Sequence, residues 1–149
     1  MTVTIRDAHA GDVAALVDLL VGGSLTVKED PSDLAPYARA LEAITADPTA
    51  TVLVALLDGR VVGMCQLMIL RHLQHRGGLC AEIESMHVTA GRRSEGIGSV
   101  LLEAAVARAA AAGCYRVQLT SNVARPDAHR FYLRHGFEAS HAGFKRYLA

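Results

Sequence analysis

Arg93-Ser94-Glu95-Gly96-Ile97-Gly98 stands where a β-rich run gives way to an Ala- and Leu-rich helical one. Gly96 and Gly98 carry no Cβ, so the backbone can turn tightly there and approach a ligand. The first N–H groups of a helix starting near Ile97 have no intrahelical acceptor and lie at the positive end of its dipole, which makes a seat for an anion such as a phosphate. Arg92 and Arg93 add charge at its mouth. The pattern is not a dinucleotide fingerprint, because Leu101 stands where a third glycine is needed. It is not a P-loop either, since no Gly-Lys-Ser/Thr follows.

Two carboxylates stand just before this segment. Glu82 and Glu84 are two apart on one strand, so both leave the same face. Paired acids raise one pKa of the pair, which suits a general base. Upstream, Arg71, His72, His75 and Arg76 form a polar stretch able to hold an anionic head group, Arg by its bidentate fork; the competing reading is a solvated or dimer-contacting loop. His72 and His75 have no evident third ligand, so no metal site is expected. Cys65, Cys80 and Cys114 are odd in number and widely spaced, which reads as small buried hydrophobes.

These residues need elements to hold them. The sequence predicts a strand over 2–6, a helix over 10–21 stopped by Gly22-Gly23, and a second helix with Asp30 as N-cap that ends at Asp47-Pro48. Strands 51–57 and 60–70 flank Asp58-Gly59, a pair suited to a tight hairpin. The 71–78 connection leads into a strand over 79–89, then the glycine loop, a helix over 97–112 closed by Gly113, and a strand over 115–121. Strand, loop, helix, strand in that order predicts a parallel pair joined by a right-handed crossover. A helix over 127–135 and short strands over 137–141 and 144–148 complete one domain.

The chain has 149 residues, with 15 Lys plus Arg against 15 Asp plus Glu. A balanced charge offers no field for nucleic acid or an anionic membrane. No leader-like start and no long apolar run appear, so a cytoplasmic protein is expected.

The Arg93-to-Gly98 segment resembles the signature of the GNAT N-acetyltransferases: Arg or Gln, two residues, Gly, one residue, Gly or Ala. Ile5-Arg6-Asp7-Ala8, the strand ending at Val88, Ala128-His129-Arg130-Phe131-Tyr132 and His135-Gly136-Phe137 extend the likeness over nearly the whole chain. Ser94 and Ala90 depart from it, standing where the family often has glycine and proline. The resemblance implies an α/β (α+β) fold. Its sheet would be mixed, mostly antiparallel, of about six to seven strands, splayed at a central parallel pair and flanked by about four helices. It implies acetyl-CoA as donor, paired along Met86, His87 and Val88. The amides of Ser94, Glu95, Gly96, Ile97, Gly98 and Ser99, with Arg93, would hold the diphosphate, and Asn122 the pantetheine side. It puts a general base at Glu82, with Glu84 next, and an acid at Tyr132. Arg71, His72 and His75 would bind a small-molecule amine. Within the family the likeness is greatest to aminoalkylphosphonate N-acetyltransferases, through the 56–64, 72–75 and 121–134 stretches. A homodimer is compatible with it. A protein or peptide N-acetyltransferase and a non-catalytic acyl-CoA-binding module are the competing readings.

Overall fold

The computed structural model describes residues 2–25 and 29–149. Asp58 and Gly59 both take left-handed backbone angles, φ 51° and 75°, which turn β2 (Ala50–Leu57) directly into β3 (Arg60–Arg71). β1 (Val3–Asp7) lies antiparallel to β2, and β4 (Leu79–Val88) antiparallel to β3. β5 (Cys114–Leu119) is parallel to β4, so the strand order is β1-β2-β3-β4-β5.

Both faces of this sheet are covered, which is why β2 reads as an almost unbroken apolar run. Leu53, Ala55 and Leu57 pack with Ile97, Leu101, Leu102, Ala105 and Ala109 of α4 (Ile97–Ala111), the crossover between β4 and β5. Val52 and Val54, of opposite parity, pack with Val13, Leu16, Val17 and Leu19 of α1 (Val13–Gly23) and Leu41 of α2 (Ala35–Ala46). The segment α3 (Gln74–Gly77) is a turn with left-handed His75 and Arg76, and α5 (Pro126–Arg134) follows β5. No helix among the described residues is long and apolar enough to cross a membrane.

One irregularity places the site. Glu84 pairs with Gln66 and His87 with Met64, so Ser85 and Met86 together oppose Cys65; Ser85 has φ 53°. This bulge shifts side-chain parity. Before it, Ala81 and Ile83 face α4 and Glu82 and Glu84 face the other side. After it, Met86 and Val88 pack on the α4 side, which leaves His87 on the face of the two glutamates.

The expected splayed parallel pair is present, with five strands instead of six or seven. Residues 137–141 and 144–148 run without a ladder partner, and Phe144, Tyr147 and Leu148 are 93%, 70% and 86% exposed. Alternating apolar residues make a strand only where a surface buries one face, and none does so here. The second helix begins at Ala35, with Pro36 in its first turn. Asp30 instead accepts bonds from the N–H and Oγ of Ser32, at 2.9 and 2.5 Å, and makes a turn. The first helical stretch opens as a 3-10 turn, Ala10–Asp12. Cys65 and Cys80 are buried and Cys114 partly so, and burial pushes the Cys65 thiol up to about 12.

Asp12 is 5% exposed and accepts from both Arg6 Nη atoms, at 2.7 and 3.0 Å, and from His9 N–H at 2.9 Å, tying β1 to the start of α1. Arg6, more than any other group, holds its carboxyl below the ordinary value, while burial opposes. A depressed carboxyl stabilises the fold above its unfolded pKa and loses that contribution as pH falls through its folded pKa. Melting temperature should therefore drop below about pH 4. Asp12→Ala should cost about 2 kcal/mol at neutral pH and flatten that acid limb in pH-dependent thermal melts.

Candidate functional site

Thr89 closes β4 by donating its N–H and hydroxyl to Val62 O, at 2.8 and 3.1 Å. The chain then turns through left-handed Gly91, Ser94 and Gly96, with φ 84°, 71° and 82°. The first bond of α4 runs from Val100 N to Gly96 O at 3.2 Å. The N–H groups of Ile97, Gly98 and Ser99 therefore lack intrahelical acceptors. Gly96 is needed for its backbone angle. At Gly98 the space is nearly filled: a Cβ there would already be in van der Waals contact with Phe131 at 3.4 Å and Val88 at 3.7 Å, which leaves no room on that side for a longer side chain. Arg92 is paired with Glu95 at 3.5 Å, whereas Arg93 has no ion-pair partner among the described residues. Ser99 Oγ lies 3.0 Å from His135 Nε2, and His135 Nδ1 lies 2.8 Å from Glu103 Oε1, which pins the end of α5 to the first turns of α4.

The pairing of β4 with β5 stops at Ile83↔Leu119, yet β4 runs on to Val88. On that side Met86, His87 and Val88 have no strand beside them among the described residues, and the free amides of α4 lie at the end of the opening. Asn122 lies past the end of β5. Its side-chain oxygen accepts from Ala124 N–H at 2.9 Å, and its carbonyl from Arg125 N–H at 3.0 Å, so of its side chain the amide nitrogen is left to offer a ligand.

Glu84 is the first β4 residue beyond the paired stretch, while Glu82 still pairs with Gln118. Neither carboxylate is hydrogen-bonded or ion-paired among the described residues. Burial raises the Glu84 pKa, Glu82 raises it further, and Lys145 opposes. Tyr132 packs edge-on against Phe131 and Phe137, with ring centroids 5.3 and 5.8 Å away. Burial first, then Cys65, raises its pKa against the pull of Arg125, so the phenol keeps its proton at neutral pH. Its hydroxyl has no partner among the described residues.

Two side chains that sequence reasoning left without a role belong to this region. His87 lies over Gly23, where any Cβ would collide with its Nδ1. Burial first, then Arg125 and Arg93, lowers its pKa, so it is neutral at pH 7. Arg125 donates to the Gly23 carbonyl. It stands at the N-cap of α5, where a cation works against the helix dipole. That local mismatch was the signal available in the sequence.

Arg71, His72 and His75 lie elsewhere. His72 Nδ1 is 2.6 Å from Tyr115 Oη, the His75 ring stacks on Tyr115 at 3.9 Å, and Arg71 donates to Gly77 O at 2.7 Å. Tyr115 is at the start of β5, so this group sits about ten strand residues, on the order of 30 Å, from the glycine loop. No three His, Cys, Asp or Glu side chains among the described residues gather as a metal site.

The family model for the "Acetyltransferase (GNAT) family" matches residues 13–137. The chain is 41% identical over 102 residues to an aminoalkylphosphonate N-acetyltransferase of Salmonella typhimurium, covering 68% of this chain and 66% of that protein. Its structure superposes on a crystal structure described as a transcriptional regulator from Bacillus halodurans, with TM-score 0.93, 36% identity, and 99% and 100% of the two chains covered. A putative acetyltransferase from Agrobacterium tumefaciens gives TM-score 0.87 at 28% identity over 97% and 99%. The chain belongs to the GNAT acetyltransferase family, and its fold is the one the resemblance implied.

Ser94 and Gly96 give opposite expectations. A non-glycine residue in the left-handed region costs about 1 kcal/mol, so Ser94→Gly should stabilise the protein by about that amount and Gly96→Ala destabilise it by a similar one. Urea unfolding midpoints of the two variants check both signs.

Proposed function

We propose that this chain transfers the acetyl group of acetyl-CoA to the primary amine of a small molecule. The single observation that carries the reading is the unpaired arm of β4 opening onto three free amides of a glycine-led helix. Those features suit acetyl-CoA at both ends. An extended pantetheine can add to the open side of Met86, His87 and Val88 as a strand would. A diphosphate suits the amides of Ile97, Gly98 and Ser99. Ser94, Glu95 and Gly96 shape the turn, Arg93 adds an unpaired cation, and the Asn122 amide nitrogen is available to the arm.

Acetyl-CoA supplies an activated acyl carbon on a thiolate leaving group. The amine must lose a proton, and the sulfur must gain one. Glu84 is assigned the first task, directly or through one water: its place at the start of the unpaired arm and its raised pKa favour it over Glu82. Glu82 acts as the neighbouring charge that helps raise that pKa. Tyr132 is assigned the second, since its phenol is protonated and unengaged. A main-chain N–H of the Met86-to-Val88 arm would receive the charge that builds on the carbonyl oxygen. Arg71, His72 and His75 receive no acceptor role here, because Tyr115 and Gly77 engage them at the other end of the strand pair. The name of the Salmonella relative puts aminoalkylphosphonates first among acceptors to assay.

Calorimetric titration should show one CoA bound per chain, weakened at least tenfold by Gly98→Leu, whose side chain beyond Cβ would crowd Phe131 and Val88 and displace the free amides of the helix start. Thiol-detected CoA release from acetyl-CoA with an amine panel should show turnover that drops about 100-fold in Glu84→Gln and in Tyr132→Phe. The pH profile separates the two glutamates. Removing the charge of Glu82 favours ionised Glu84, so Glu82→Gln should move the acidic limb of kcat/KM to lower pH, while Glu84→Gln should abolish that limb. Absence of CoA binding, or full turnover in both Glu84→Gln and Tyr132→Phe, would overturn the assignment.

A further inference from the structure

Arg125 joins the two arms of the opening. Its main chain is fixed by its N–H on Asn122 O at 3.0 Å and by its carbonyl, which accepts from His129 N–H at 3.1 Å. Its guanidinium reaches across to the carbonyl of Gly23, the last residue of α1. The His87 ring of β4 lies against that same glycine. α1, β4 and the loop entering α5 therefore meet at Gly23, with one imidazole and one guanidinium on it.

Arg125 is half-buried and has no counter-charge among the described residues. Arg6, Arg92, Arg108 and Arg130 each have a carboxylate; of the arginines with none within ion-pair distance among the described residues, the others, Arg93 included, are exposed, and Arg125 alone is half-buried. An arginine offers five N–H donors in a planar fork, and the Gly23 carbonyl takes one nitrogen only. The charge acts on both His87 and Tyr132, so it is felt inside the opening where the phenol lies. The carboxylates Glu82 and Glu84 stand on the same face of β4 as His87, set back along the strand. An acceptor with a cationic nitrogen and an anionic tail would find charges of opposite sign for both ends here.

We infer that Arg125 is the specificity-determining residue of the acceptor site and receives the phosphonate, phosphate or carboxylate of a short amino acid-like acceptor through its fork. The inference rests on the acetyltransferase reading and narrows its substrate to zwitterionic amines. It replaces the 71–76 stretch as the source of anion recognition. Lysine at this position keeps the charge and a donor for Gly23 but loses the planar fork.

The test compares kcat/KM for 2-aminoethylphosphonate, β-alanine and the uncharged-tail control n-propylamine, in the wild type, Arg125→Lys and Arg125→Met, with calorimetric CoA binding measured on each. The wild type should favour 2-aminoethylphosphonate over n-propylamine by about 100-fold. That ratio should fall at least tenfold in Arg125→Met through KM for the anionic amine, and by an intermediate amount in Arg125→Lys, while CoA affinity stays within threefold. Ethylphosphonate should inhibit the wild type competitively against the amine, a readout that needs no variant to fold. No selectivity for the anionic amines, an unchanged ratio in a folded Arg125→Met, or a loss of CoA affinity as large as the KM effect would each overturn the role of Arg125 and leave the transferase reading standing. No CoA release with any of the three amines would overturn both.

Discussion

A parallel strand pair that ends at Ile83 and Leu119 leaves the next five residues of β4 with main-chain groups facing no ladder partner on that side. Backbone N–H and C=O groups removed from water without a partner are costly, so a sheet keeps such an edge only where water, or a ligand of matching shape, supplies the bonds. The other edge of the same β4 stretch is secured: His87 pairs with Met64, Val88 with Gly63, and Thr89 bonds twice to Val62. The arm is thus held rigidly by β3 and open toward β5. Everything else at the site is arranged around that asymmetry.

The bulge at Ser85 supplies the second condition. Without it, strict alternation would turn Ser85 and His87 toward α4 and Met86 toward the glutamates. With it, Met86 and Val88 join the apolar layer over α4, and His87 shares a face with Glu82 and Glu84. Polar groups are gathered on the α1 side and apolar ones on the α4 side, at the place where the sheet opens. The left-handed angle of Ser85 costs about 1 kcal/mol, a local strain offset by burying two apolar side chains rather than one serine and one histidine.

What could be read from the sequence was local. Asp58-Gly59 names its own turn, Gly96 and Gly113 mark a helix boundary by the angles they alone adopt freely, and the order of strand, loop and helix implies the crossover. What could not be read depends on distant partners. Asp30 looks like a helix cap until Ser32 takes its oxygen. The 71–78 connection looks like a free basic loop until Tyr115, 43 residues after His72, stacks on it. The bulge has no glycine to announce it, and the alternating residues of the last thirteen positions carry a strand pattern without a surface to complete it. Arg125 was legible only as a cation in the wrong place on a helix.

In the proposed reaction, the electrostatics of the site would divide the two proton tasks by position rather than by residue type. Glu84 and Tyr132 are both shifted upward by burial, but the consequences differ. For a carboxylate the shift makes the ionised form a stronger base near neutral pH; for a phenol it ensures that a proton is present to give. The nearby charges then limit each effect. Lys145 draws the Glu84 pKa back down, and Arg125 does the same for Tyr132, though in both burial remains the larger effect. An anion placed on Arg125 would weaken that second restraint, making the phenol a poorer acid in the same step that seats the acceptor. If Tyr132 is the acid as proposed, seating the acceptor and releasing the proton then pull against each other, and the charge that builds on the departing sulfur is what must draw the proton across.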